Sequence, residues 1–384
     1  MIYADYNATT PVDPEVRAAM ACALDASFGN ASSLHAAGQE ARRLVERARA
    51  QAAKLIGADP DEIVFTSGGT EADNLAVLGV AHAAPAAGSG GIVTSSIEHQ
   101  AVLAPCKHLE GEGRAVTFLP VAGAGRLDLG ALGEAAKPGL VLISVMLANN
   151  ETGTIQPLAD VVKAASACGA IVHTDAVQAV GKMPVDVRAL GVALLSFSSH
   201  KIHGPKGAGA LYVRRSLHLA SLFHGGRQER SLRPGTENVP AIVGFGKACE
   251  LASVRLAADR RRVALLRDHF EGQILARVRG ARINGGRLGD DGRLPNTSNI
   301  AFAGLDGEAI TINLDMLGMA VSNGAACSAV DHAPSHVLLA MGQDTAEARS
   351  SVRFSFGRDN TDEEIDRAVD LVVQATNLLQ QVRP

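Results

Sequence analysis

Between about residues 60 and 215, short apolar runs rich in β-branched residues alternate with stretches whose apolar positions recur at helical spacing. This is the pattern of a mainly parallel sheet covered by helices. The runs predict a seven-stranded sheet, with strands at Glu62–Thr66, Ile92–Ser95, Val116–Pro120, Leu140–Leu147, Ile171–Thr174, Leu194–Ser198 and Gly209–Val213. Sheets of this kind place ligands beyond the C-terminal ends of their strands. Polar clusters fall at those positions: 66–70 (TSGGT), 96–99 (SIEH), 149–151 (NNE), 175–178 (DAVQ) and 198–201 (SSHK). Past Gly235 the pattern changes to a long Arg-rich helical stretch at about 239–280, then strands at Asn299–Phe302 and Val352–Phe356 and helices near Glu308 and Asp362. The expected class is α/β, with a large domain (16–250), a smaller α+β domain (251–384) and an N-terminal arm (1–15) packed on the smaller domain or at the site entrance. Residues 285–294 (GGRLGDDGRL) read as an exposed, flexible turn.

Composition narrows the function classes. The chain has 384 residues, 47% of them hydrophobic and 20% charged, enough to bury a large core and to exceed one compact domain. A net charge of -4 gives no electrostatic reason to expect nucleic acid or an anionic membrane, and small polar substrates fit better. The basic stretches 42–54 and 255–267 carry interleaved Leu, Val and Ala, as a solvated helix face with a packed stripe does. The longest largely apolar run, 140–148, is shorter than the roughly 20 residues a bilayer requires. The first residues lack the basic start and apolar stretch of a signal peptide, so no membrane association and a cytoplasmic location are expected. Cys22, Cys106, Cys168, Cys249 and Cys327 form no C-x-x-C pair or zinc-spaced cluster, which argues against a structural metal site.

Three features carry chemistry. The run Ser67-Gly68-Gly69-Thr70-Glu71 follows a predicted strand and opens a predicted helix. Its small residues let backbone N–H groups approach an anion at the positive end of the helix dipole, although such a loop is more often a plain N-cap. Asp175 ends one predicted strand and Lys201 follows the next, as neighbours in one sheet would. A carboxylate, an amine and phosphate donors are what pyridoxal phosphate needs, for its ring nitrogen, its covalent tether and its phosphate. Taken singly, Asp175 reads equally well as a helix cap, whereas the flanking Ser198, His200, His203 and Gly204 argue against reading Lys201 as a solvated surface amine. Cys327 sits among Gly324, Ala325, Ala326, Ser328 and Ala329, which reads as a mobile loop. The other four cysteines suit the ordinary role of a buried thiol.

The motifs then converge. DYNATTPVDP (5–14), FGNASSLH (28–35), FTSGGTEADN (65–74), ANNETG (148–153), HTDAVQAVGK (173–182), SFSSHKIHGPKG (196–207), RPGTEN (233–238), SNGAACS (322–328) and VRFSFGR (352–358) stand in order along the chain. In these the chain resembles the cysteine desulfurases of the NifS/IscS group, class-V aminotransferase-like enzymes of the fold-type I pyridoxal-phosphate class, and ANNETGT and HTDAVQAVGK lean to the NifS type. The resemblance implies a homodimer in which Lys201 holds pyridoxal 5'-phosphate, Asp175 pairs with its ring nitrogen, Gln178 reaches its phenolic oxygen and His99 stacks on its face. It implies phosphate contacts from Gly69, Thr70, Ser198 and His200, with Thr236 arriving from the partner subunit. Asn150 and Arg353 would grip the carboxylate of L-cysteine, for which the planar fork of an arginine is suited.

In the implied reaction Lys201 moves the Cα proton, His99 shuttles protons, and the Cys327 thiolate takes the substrate sulfur as a persulfide while alanine leaves. The sulfur would pass to an iron–sulfur scaffold or another acceptor protein, including nitrogenase maturation, with Cys327 a candidate iron–sulfur ligand through its persulfide. The chain stops at Pro384, so docking through the longer tail of some IscS-type members is not expected. Rival readings are a selenocysteine lyase or other fold-type I enzyme, and a non-enzymatic module that holds a sulfur-transfer partner.

Overall fold

A computed structural model describes residues 1–84, 90–286, 292–323 and 333–381. Its strands are β1 (Ile2–Tyr3), β2 (Ile63–Thr66), β3 (Gly91–Ser95), β4 (Val116–Leu119), β5 (Leu140–Ser144), β6 (Ile171–Asp175), β7 (Leu194–Ser198), β8 (Gly209–Val213), β9 (Ala281–Asn284), β10 (Thr297–Phe302), β11 (Met319–Ala320) and β12 (Ser351–Ser355). The large sheet has the order β2-β8-β7-β6-β5-β3-β4, and β8 alone runs against the others. All seven expected strands are present and the sheet is mainly parallel.

Helices on both faces explain why these strands are apolar throughout. Successive side chains point to opposite faces. Val64, Ile92, Leu142, Leu194 and Leu211 therefore join one core, and Phe65, Val93, Ile143, Val172 and Leu195 join the other. The run expected at 140–147 ends as a strand at Ser144 because the chain veers into a loop. Val145 and Leu147 still donate backbone hydrogen bonds to His173 and Asp175 of β6.

A separate core forms around Phe270, Phe302, Phe354 and Phe356, under an antiparallel sheet ordered β12-β10-β9. The 39-residue helix Val239–Arg277 reaches both cores: its first part buries Phe245, Ala248 and Cys249 in the large one, and its last part buries Leu266, Phe270 and Ile274 in the small one. At 1.5 Å per residue it spans about 58 Å. The N-terminal arm lies on the small core, where Ile2 and Ala4 are buried and β1 pairs in parallel with β11.

Two sequence expectations need correction. Of the turn at 285–294, residues 287–291 lie outside the described residues, but its far end is neither exposed nor loose. Leu294 is buried, and Arg293 is buried in a bidentate pair with Glu271 at 2.8 Å. Residues 292–294 bond to the backbone of Gly153 and Ile155, which draws the end of the turn against the loop that follows β5. Cys22 is exposed and Cys168 half-buried, so only Cys106 and Cys249 fit the buried-thiol reading.

Candidate active site

Because β2 to β7 run the same way, their C-terminal ends share one edge, and all five polar clusters emerge there. Asp175 ends β6 and pairs in register with Ser196 of β7, while Ser199–Lys201 forms a single 3-10 turn directly after β7. Adjacent strands thus bring Asp175 and Lys201 together, as their spacing implied. Lys201 Nζ donates to the backbone carbonyls of Asn7 at 2.5 Å and Ala8 at 2.8 Å, so the N-terminal arm reaches this amine.

The glycine loop is not a side-chain N-cap. Helix Gly69–Ala83 starts after Gly68, which offers no side chain to its first N–H groups. The loop is shaped from inside the helix: Glu71 accepts from the Ser67 N–H at 2.8 Å and from Arg233 Nε at 2.9 Å. Glycine is favoured here because a Cβ on Gly209 would stand 2.6 Å from the Gly68 backbone, and one on Gly69 would stand 2.7 Å from the Val177 side chain. The Ser198 hydroxyl is buried without a hydrogen-bond partner. Uncapped helical N–H groups beside an orphaned buried hydroxyl fit a bound phosphate, and with Asp175 and Lys201 on the same edge the residues fit pyridoxal phosphate.

The remaining expected residues sit at graded distances from this centre. His99 begins helix Gln100–Gly111, its ring accepting from the Ala101 N–H at 3.1 Å, and its charge acts on both Asp175 and Glu151. Gln178 is buried, donating to the Asn7 carbonyl at 3.0 Å and accepting from Lys182 at 2.6 Å. His200 contacts Thr9 of the arm at 3.2 Å, and burial followed by Lys201 and Lys206 pushes its pKa down to about 4, leaving it neutral. Asn150 offers its carbonyl to Arg353 at 3.1 Å, and Arg353 donates to Asp5 at 2.8 Å. Its buried Nε has no hydrogen-bond partner, so part of its donor fork remains for an anion. Thr70 is exposed at the helix start. Thr236 is exposed too, on a segment held to this edge by Arg233.

Cys327 lies outside the described residues, but the chain on either side of it is anchored at the site. Ser322 pairs with Arg353 of β12, and Ser335 donates to the buried Glu151 at 2.5 Å. From Ser322, five residues can span at most about 17 Å.

Several residues were not singled out in the sequence. Asn7, Lys182 and Glu151 all stand inside motifs quoted above, but single polar residues within a motif give no sign of which face they occupy. Glu151 is buried, and desolvation drives its carboxyl up to about 7 against the opposing pull of Ser335, Arg353 and His99. Burial raises Asp175 as well, opposed by His99, the Val177 N–H and Lys201. Below it on the same strand face, His173 bonds Ser144 at 2.8 Å and Ser196 at 3.0 Å, and burial pushes it down to about 3. Among the described residues no His, Cys, Asp and Glu cluster suits a metal ion, and no helix is long and apolar enough to cross a membrane.

Comparison with known proteins places this architecture. The class-V aminotransferase family matches residues 2–368. A cysteine desulfurase IscS from Dictyoglomus turgidum is 45% identical, over all of this chain and 96% of that protein. A cysteine desulfurase from Cereibacter sphaeroides is 48% identical, over all of this chain and 97% of its own length. Among solved structures, a NifS-like protein superposes with a TM-score of 0.91 at 37% identity, covering 98% of this chain and 100% of that one.

Proposed function

The chain belongs to the class-V aminotransferase family and is a pyridoxal-phosphate-dependent cysteine desulfurase, and from that premise we propose how its residues divide the work. The observation that carries the assignment is the shared edge: Asp175 and Lys201 on adjacent strand ends, beside an uncapped helix and the orphaned hydroxyl of Ser198. Lys201 would hold the cofactor, with Asp175 at its ring nitrogen, Gln178 at its phenolic oxygen and His99 against its ring. Gly69, Thr70, Ser198 and His200 would receive the phosphate, with Thr236 supplied by the second subunit of a homodimer. When bound, pyridoxal phosphate supplies an electron sink that loosens the Cα proton of L-cysteine and, in turn, its carbon–sulfur bond.

Arg353 and the Asn150 loop orient the substrate carboxylate, helped by the donor capacity that Asp5 leaves free. The freed Lys201 amine takes the Cα proton, and His99 holds or returns a proton at the departing side. The Cys327 thiolate then attacks the substrate sulfur. The carbon–sulfur bond breaks, a sulfur–sulfur bond forms, and the carbon takes a proton to leave as alanine. The anchoring of Ser322 and Ser335 beside Arg353 and Glu151 supports this role for the segment between them.

The persulfide passes to an iron–sulfur scaffold or other acceptor protein in the cytoplasm, with nitrogenase maturation one use and iron ligation through the persulfide another. The chain divides near residue 250, within the long helix, into a cofactor-binding and a smaller domain. Mixing the purified, pre-reduced protein with L-cysteine in the absence of any added reductant tests the reading. Stoichiometric alanine and a persulfide mapped by mass spectrometry to Cys327 are expected. A persulfide on any other cysteine, or none, would refute the nucleophile, and faster turnover of selenocysteine would favour a lyase.

A further inference from the structure

We propose that Lys182 is a positioning residue for this reaction: donating to Asn7 and Gln178, it locks the Gln178 amide with its NH2 group on the Lys201 side. Lys182 Nζ meets Asn7 Oδ1 at 2.9 Å and Gln178 Oε1 at 2.6 Å. The opposite end of the same amide, Nε2, donates to the Asn7 carbonyl at 3.0 Å, and Lys201 Nζ donates to that carbonyl too. The Asn7 backbone carbonyl can only accept, which places Nε2 beside it, and the Lys182 N–H groups meet the remaining Oε1, so the Gln178 amide has one preferred orientation. Without Lys182 the flipped amide would lose only its bond to the Asn7 carbonyl.

Asn7 is held with equal strictness. Its Nδ2 donates to the Asn150 carbonyl at 3.1 Å and to Thr297 at 2.9 Å, while its Oδ1 also accepts from Asn296 at 2.9 Å. The arm, the large sheet and the antiparallel sheet therefore meet at one asparagine, and Lys182 is the donor that ties this junction to Gln178. Two N–H groups suffice for both bonds, so the role needs no charge on Lys182. Burial, then Lys201 and Arg353, hold its amine well below the ordinary lysine value. A cavity of about 60 Å³ opens beside both lysines and gives a substituted side chain room to settle.

The inference rests on the assignment of Gln178 to the cofactor's phenolic oxygen. A donor on that oxygen competes for the proton shared with the Lys201 nitrogen, so a loosened amide raises that nitrogen's proton affinity. The experiment is a pH titration of the visible absorption of the loaded enzyme. Lys182→Met, of similar length, is expected to move the midpoint up by about one pH unit, as loss of one hydrogen bond does. Gln178→Leu should move it equally, and the double variant no further, because Lys182 acts through Gln178. Asp175, His99, His200 and Arg353, the other titratable groups around Lys201, are unchanged in all three.

An unmoved midpoint in a cofactor-loaded Lys182→Met protein overturns the proposal, as does an additive shift in the double variant. If Lys182→Met alone does not fold, Gln178→Leu is compared with the double variant, in which no acceptor is left orphaned. Midpoints agreeing within about 0.2 unit support the proposal, and a further shift of about half a unit or more refutes it. A wild-type protein with no visible band would refute the cofactor assignment itself, and this inference with it.

Discussion

Two regions bury charge in opposite ways. Beside the small core, Arg293 and Glu271 are fully enclosed and joined by two parallel bonds of 2.8 Å. At the edge of the large sheet, Asp73, Glu98, Glu151 and Asp175 are all buried, and burial raises every one of them. Asp175 pushes Asp73 and Glu98 higher still. Such a pair as Arg293 and Glu271 neutralises its own charge and serves architecture. The crowded acids leave proton affinity unspent, which is what a reacting centre requires.

Lys201→Ala gives the largest expected departure. It should cut alanine formation by about a thousandfold or more, the scale of losing a catalytic acid–base group, while the melting temperature moves little. Borohydride reduction of the wild-type enzyme and peptide mapping should place the label on Lys201, and a label on another lysine would refute that tether. Arg293→Met should do the reverse: a stability loss of about 3–5 kcal/mol in denaturant titrations, because Glu271 is left buried alone. Activity per folded molecule should be preserved. Replacing Glu271 with Leu in the same chain should recover much of the loss, and failure to do so would show that the pair is not the cause.

A smaller effect separates the regions by pH. Glu151 lies near 4.5 when unfolded and near 7 when folded, so its protonated form is favoured by the fold. Its contribution to stability is complete below about pH 4.5 and fades as pH rises through about 7, with a slope of at most about 1.4 kcal/mol per pH unit. Glu151→Gln should flatten that part of the stability–pH curve, and an unchanged slope would contradict the assignment. Ser198→Ala is expected to do least. With its hydroxyl orphaned, melting of the cofactor-free protein should hardly change. Cofactor affinity measured by dialysis or fluorescence should fall about tenfold, as for one hydrogen bond to a charged group. Equal affinity would remove Ser198 from the phosphate site.

The comparison also shows where sequence reading stops. Arg293 was hidden inside a Gly- and Asp-rich stretch that reads as an exposed turn, because composition registers flexibility but not what lies across the fold. The site edge was far more legible, since short apolar runs with polar ends announce both their direction and their loops. Lys182 shows the intermediate case. It sits four residues past Gln178 in a motif already read as chemical, yet its role depends on Asn7, 175 residues away in sequence.

By itself the sequence determined the seven strands, their shared edge and the family, because apolar periodicity and ordered motifs are local and survive without coordinates. Tertiary structure alone decided that the N-terminal arm reaches Lys201, that Asn7 joins three parts of the chain, and that Arg293 is buried while Cys22 is not. Those outcomes are set by contacts between distant segments, and no pattern along one segment records which other segment will exclude water from it.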